Sequence, residues 1–424
     1  MGRRSIKMAA AIAGALLTGA QTPAPPVPSL QSQLAPHAFP IALEQGRLIG
    51  PGADVILAAA DTAQFVGIGE EHNNLHIPAI TTALFRTLHQ RHGFNYFVDE
   101  QDPVMMRTIS AAPVRGDVGR IRALAQRYKH GFTFISDQEL QMLADIGATS
   151  KGKGRPIWGC EQGFGVTHVI DQLSPRARTA AQKRLIAALR PETEAKEAVR
   201  DLAKGGHYMG QEANGPKLAE LSQVFATADP DTRFIADAPR QSNLIYSYYH
   251  RSTRGELPGA YSNSAVREEY MKRVCLAEYR NAERRDGHLP KAVLKMGHWH
   301  LYDGWSPNNV TTLGNFFSNL ARLNGTGYTS VSTFSTVYEG KSIWDIDRVG
   351  YLRAFRDAVP ASGWVLIDLR PLREGPTYRQ MRAIADAAGP TGRADFYRLL
   401  YGFDFALFLG PHAPASFEVA KVPY

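Results

Sequence analysis

Short apolar runs that stop on charged or imidazole side chains constrain this chain more than any other feature. Phe65-Val66-Gly67-Ile68-Gly69 runs into Glu70 and Glu71, Tyr96-Phe97-Val98 into Asp99 and Glu100, and Pro156-Ile157-Trp158 towards Cys160 and Glu161. Residues 292–296 lead to His298, residues 328–334 form a fifth run, Trp364-Val365-Leu366-Ile367 ends at Asp368, and residues 403–409 are a seventh. Runs this short and this continuously apolar are strands buried on both faces, and the amphipathic stretches between them are crossover helices. Residues 77–91 are one such helix, with Ile80, Leu84 and Leu88 four apart and Gly93 placed to close it. The pattern predicts an α/β fold with a mainly parallel sheet flanked by helices, in which ligands bind beyond the carboxyl ends of the strands. Residues from about 165 to 285 carry few strand signals and many Ala, Glu, Lys and Arg. Helices are expected there over residues 176–189, 192–203 and 266–284, as a helical insertion walling one side of a cleft.

The remaining bulk features narrow the class. The chain has 424 residues, 44% of them hydrophobic, and no linker-like stretch interrupts residues 41–424, so that span reads as one domain with the insertion inside it. Arg3, Arg4 and Lys7 precede a short apolar stretch, and Thr18-Gly19-Ala20 offers a cleavage site, so residues 1–20 read as a signal peptide. Arg3-Arg4-Ser5 also has the look of a twin-arginine signal. The expected location is periplasmic or secreted; the competing reading is a basic tail on a cytoplasmic protein. Proline-rich residues 21–40 read as a flexible leader. No later run is long enough for stable membrane insertion. Net charge is +8, falling to +5 without residues 1–20, and the basic groups are dispersed, so no nucleic-acid partner is expected. Cys160 and Cys275 both sit in apolar contexts and read as buried free thiols, with one disulfide as the alternative.

Two motifs carry chemistry. In Gly67-Ile68-Gly69-Glu70-Glu71-His72, Gly69 permits a tight turn, and Glu70 and His72 are two apart, so in extended geometry they share a face. A carboxylate beside an imidazole holds its tautomer and raises its basicity, which suits a general base. The bland alternative is a strand-to-helix turn with solvated charges. In Gly297-His298-Trp299-His300 the two histidines suit either a metal pair or one catalytic and one structural imidazole. Tyr302 and Asp303 follow with aromatic surface and a carboxylate for ligand contact. A Gly-x-Ser-x-Gly elbow, a His-Glu-x-x-His helix and a phosphate-binding P-loop are all absent from the sequence.

Taken in order, these residues resemble the erythromycin esterase/ChaN-like superfamily over roughly residues 60 to 320. The resemblance runs from Ile68-Gly69-Glu70-Glu71-His72 through Gly93-Phe94 and a strand ending at Glu100 to Ile157-Trp158-Gly159-Cys160-Glu161-Gln162. It continues with Arg267 to Met271 and Met296-Gly297-His298-Trp299-His300. The resemblance implies a deep cleft and, for the esterases, hydrolysis by a histidine-activated water without a covalent nucleophile. His72 would be the base, Glu100 would orient it or the water, and His298 or His300 would polarise the ester carbonyl. Glu70, Glu71, His76, Glu161, Arg267, Trp299, Tyr302 and Asp303 are the candidate contacts to a small-molecule substrate. No metal ligand is assigned and no cofactor is expected. The single residue between Glu70 and His72 looks more like the haem-binding ChaN-like branch, which keeps a haem- or metal-binding envelope protein, or a metal-dependent hydrolase, as the alternative.

Overall fold

The computed structural model describes residues 28–152, 154–199 and 207–421. The signal-peptide segment and the start of the leader lie outside the described residues. From Leu30 onward the supposed leader carries structure: Leu30–Leu34 is helical with Leu34 buried, and a first strand begins at Ala38.

Every apolar run becomes a strand. The strands are β1 (Ala38–Glu44), β2 (Arg47–Ile49), β3 (Ala63–Glu70), β4 (Tyr96–Asp99), β5 (Ile157–Gly159) and β6 (Ala292–Gly297). They continue with β7 (Gly327–Ser335), β8 (Val337–Tyr338), β9 (Lys341–Ser342), β10 (Trp364–Asp368) and β11 (Phe405–Leu409). Nine of them form one sheet in the order β2-β1-β10-β11-β7-β3-β6-β4-β5, and β8 and β9 pair apart from it. From β5 across to β11 all neighbours are parallel; β10, β1 and β2 add an antiparallel margin. The fold is therefore α/β on a mainly parallel sheet. The β1–β2 hairpin escaped the sequence reading because its strands are half exposed and Pro40 stands inside the apolar stretch of β1.

The two faces of the sheet bury separate cores, and period-2 alternation sorts the residues between them. Phe65, Tyr96, Val98, Leu294 and Met296 face one core; Val66, Ile68, Phe97 and Val293 face the other. Lys295 follows Val293 by two, so it points into the second core although the run around it is apolar.

Helix His76–His92 closes on Gly93 in the left-handed region, as expected from the glycine. Between β5 and β6 stand the helices Thr167–Leu173, Ala180–Glu197, Gly215–Val224, Pro230–Thr253 and Gly259–Asp286. The helices expected at 176–189 and 192–203 are one helix, Ala180–Glu197, running through Pro191; residues 200–203 lie outside the described residues. A good capping box at Thr179 and Gln182 and burial of Ile186, Leu189 and Thr193 hold that helix despite the proline. Helix Pro230–Thr253, with Pro239 inside it, was not among the expected helices. Arg107 and Arg155 clamp these helices to the sheet side by ion pairs to Asp231 and Glu278. Cys160 and Cys275 are free and buried. Among the described residues no helix is long and apolar enough to cross a membrane.

Phe65 is fully buried, with its ring 4.6 Å from that of Phe317 and 6.0 Å from that of Tyr279. Phe65→Ala should lower the unfolding free energy by about 3–5 kcal/mol in denaturant titrations, and a loss under about 1 kcal/mol would contradict this packing.

Candidate active site

Parallel strands ending side by side bring the acidic and imidazole groups together. Glu70 pairs in register with Gly297, and Asp99 with Lys295. Glu70, Asp99 and Lys295 therefore sit on one face at adjacent positions. Lys295 is wholly buried; its Nζ donates to Glu70 Oε1 at 2.9 Å and Glu139 Oε1 at 2.9 Å, and lies 3.8 Å from Asp99 Oδ1. Glu139 comes from helix Asp137–Thr149, which covers that face. Burial opposes the ammonium, but the three carboxylates outweigh it and push its pKa well above the ordinary lysine value. Asp99 is raised as well: burial, with the charges of Glu139, Glu70 and Glu100, lifts its carboxyl well above the usual range despite Lys295. The one buried cation thus favours the charge on Glu70, whose carboxyl is lowered, over that on Asp99.

Glu70 Oε1 also accepts a hydrogen bond from His72 Nδ1 at 3.1 Å. A carboxylate can only accept, so the neutral ring carries its proton on Nδ1 and leaves Nε2 as a base. That Nε2 lies 4.0 Å from Glu100 Oε2. The ring stacks on Phe134 at 4.4 Å, and the side chain is 39% exposed. Burial pulls the His72 pKa down, but the Glu70 hydrogen bond and the charges of Glu100 and Glu70 hold it above the ordinary 6.5. Gly297 makes room for this ring, since a Cβ there would stand 3.0 Å from His72 Nε2.

Glu100 is the hub of the second half. Its Oε2 accepts from the Gly297 N–H at 2.7 Å, and its Oε1 accepts from Arg267 at 2.7 Å. His300 Nε2 stands 3.5 Å from Glu100 Oε1, while His300 Nδ1 donates to Glu268 Oε1 at 2.6 Å. Burial works against the Glu100 carboxylate, but His300, His72, Arg267 and the Gly297 N–H bring its pKa down to about 2. Arg267 forks onto Glu161, with Nε 3.0 Å from Oε1 and a second bond to Oε2. His298 differs from both other histidines. Burial, then the charges of His72 and His300, lower its pKa to about 4, and its buried Nδ1 has no hydrogen-bond partner among the described residues.

Two groups offer metal-ligand spacing, Glu70–His72–Glu100 and Glu100–Glu161–His300, each with ligand atoms within 4.8 Å of one another. Both already hold protein cations: Lys295 bonds Glu70, and Arg267 bridges Glu100 and Glu161. A metal would have to displace a buried guanidinium from the second group, so the donor set fits a metal poorly there.

No family model matches the chain, and no curated protein matches it in sequence. Solved structures do. A Bacillus cereus protein aligns over 92% of this chain and 98% of its own at 15% identity, with a TM-score of 0.57. A succinoglycan biosynthesis protein aligns over 92% and 98% at 16% identity and 0.53. The erythromycin esterase EreC, as a histidine-to-asparagine mutant in its open conformation, aligns over 86% and 95% at 15% identity and 0.51. This chain has the erythromycin esterase-like fold.

Of the residues singled out in the sequence, the structure gathers His72, Glu70, Glu100, Glu161, Arg267 and His300 around one cluster, with His298 beside it. Trp299 is 47% exposed next to His298. The others turn elsewhere. Glu71 accepts from the backbone and hydroxyl of Ser335 and ties β3 to β7. His76 packs on Trp364 at 5.1 Å. Tyr302 is buried against Phe403, and Asp303 is bound by Ser318, Asn315 and Arg322 beneath helix Leu313–Leu323. Lys295, Glu139 and Glu268 were not singled out. For Lys295 a signal existed, a lone cation inside an apolar strand.

Lys295→Met leaves the Glu70, Asp99 and Glu139 carboxyls buried without their cation. It should cost about 3–5 kcal/mol of stability at pH 7, partly restored by adding Glu70→Gln. Denaturant unfolding of both variants measures this, and an unchanged midpoint for the single variant would refute the charge balance. His298 has the opposite dependence from a paired histidine. Its pKa is lower folded than unfolded, so the unfolded chain binds the proton first and stability falls as pH drops from 6.5 towards about 4. His298→Leu should flatten that part of the stability–pH curve.

Proposed function

We propose that the protein is an esterase-like hydrolase that activates water on His72 and cleaves an ester of a small molecule without a covalent intermediate. The observation that carries this reading is the line Glu70–His72–Glu100: one ring nitrogen is pinned by a carboxylate, and the other faces the second carboxylate on a half-exposed ring. His72 Nε2 takes a proton from water as the oxygen attacks the ester carbonyl, and the same proton then serves the leaving alkoxide. Glu70 fixes the tautomer and stabilises the imidazolium that forms. His298, kept neutral, supplies an N–H to the developing oxyanion without bringing a charge that Glu100 would capture. His300 and Arg267 keep Glu100 ionised and in place. The fold shared with the erythromycin esterase EreC supports the reading.

The haem reading would draw an axial ligand from these imidazoles. Both nitrogens of His300 face carboxylates, and His72 Nε2 lies 4.0 Å from Glu100 Oε2, so the surroundings favour proton transfer over a haem face. Arg267 and Lys295 disfavour a metal in the same way. The basic, then apolar start of the chain supports export to the periplasm or beyond.

Aryl acetates such as p-nitrophenyl acetate test the chemistry. Turnover should survive chelators, and His72→Ala should lower kcat by roughly 10²–10⁴-fold with little loss of stability. Undiminished turnover in that variant would reject the role. The base works when neutral, so activity should rise with pH through a pKa above 6.5. Glu70→Gln removes the charge that raises it and should move this limb to lower pH. A limb that stays in place would argue against Glu70 as the partner.

A further inference from the structure

A cavity of about 260 Å³ opens beside Arg267, between the strand-end cluster and the helical insertion, and nothing in the proposed chemistry uses it. Its wall is aromatic on one side. Phe164 and Tyr246 lie 5.9 Å apart at 35°, and the His207 ring stands 5.6 Å from Tyr246. Its polar groups lack partners, acceptors and a hydroxyl alike. Gln162 Oε1, Asn263 Oδ1, His207 Nδ1 and the Tyr246 hydroxyl are buried with no hydrogen-bond partner among the described residues. Leaving such atoms dry and unpaired is costly, so an occupant that brings hydroxyl or amide protons is favoured.

The charge around the cavity selects further. The His207 imidazole is lowered first by burial and then by the neighbouring His250 and Lys196, so nothing around it favours a cation. Arg267 is already forked onto Glu161 and bonded to Glu100, so its guanidinium is not free for an anion. The volume lies below the roughly 300–1,000 Å³ of pockets that take drug-sized ligands, which leaves room for a single ring. A neutral ring with an apolar face for Phe164 and Tyr246 and outward hydroxyls for the amide oxygens is a sugar ring.

We propose that this cavity binds one neutral saccharide ring, and that the ester cleaved at His72 is an acyl group carried on that sugar. The second half rests on the hydrolase reading above; the first stands on the cavity alone. Arg267 joins the two places, since it lines the cavity and bonds Glu100, whose other oxygen faces His72. The reaction balances as ester plus water giving a carboxylic acid and a free sugar hydroxyl. The water proton passes through His72 to the sugar oxygen.

The test uses the full chain with methyl glycosides of glucose, galactose and mannose and their 6-O-acetyl esters. Binding is read by saturation-transfer NMR and calorimetry, hydrolysis by acetate release. At least one glycoside should bind saturably, and Asn263→Leu or Phe164→Ala should weaken it by roughly tenfold. Tyr249 also lines the cavity but is 51% exposed, so Tyr249→Ala keeps the test open if the buried variants do not fold; it should weaken binding too. Absence of glycoside binding while p-nitrophenyl acetate is still hydrolysed would overturn this inference and spare the hydrolase reading. Glycoside binding that responds to the variants, with no hydrolysis of any ester, would keep the sugar site and sink the hydrolase reading. Binding that none of the variants alters would overturn the assignment to this cavity.

Discussion

Everything at the strand ends depends on a single ammonium group held in the dry interior. Lys295 sits with no exposed surface between Glu70, Asp99 and Glu139, on a strand whose other residues are apolar. Without a cation there, burial under helix Asp137–Thr149 would favour the protonated form of Glu70, which would lose the charge that orients His72. With it, Glu70 remains an anion and passes its effect to the imidazole two residues along. Arg267 repeats the device from the other side for Glu100 and Glu161. The pair of internal cations explains how so many carboxylates can converge.

The same arrangement gives three histidines three different surroundings. His72 is raised and half exposed, which suits a base that exchanges protons with water. His300, locked between Glu268 and Glu100, balances charge. His298, half-buried and lowered to about 4, remains neutral over the physiological range. Their burial and neighbours, more than their spacing in the chain, separate the roles.

Much of the fold was legible because continuous apolar runs leave little choice but a strand buried on both faces. The candidate site was legible where side chains stand at strand ends, as with Glu70, His72, Glu100 and Glu161. Period-2 geometry placed Glu70 with His72, and the same rule turns Glu71 away to Ser335. What stayed hidden depends on register and on helix docking. Lys295 meets Asp99 because β6 and β4 pair at that step, and Glu139 arrives on a distant helix. Glu268 follows Arg267 in sequence, yet only the approach of helix Gly259–Asp286 shows that it grips His300. Prolines inside two helices blurred their boundaries for a related reason, since tertiary packing outweighs local propensity there.

A direct test of the central claim is long-range ¹H–¹⁵N NMR of the histidine rings across a pH titration of the wild-type protein. The account predicts that His72 carries its neutral-state proton on Nδ1 and titrates above 6.5, while His298 remains neutral until about 4. If both rings titrate together near 6.5 with mixed tautomers, no buried charges are holding them, and the account fails.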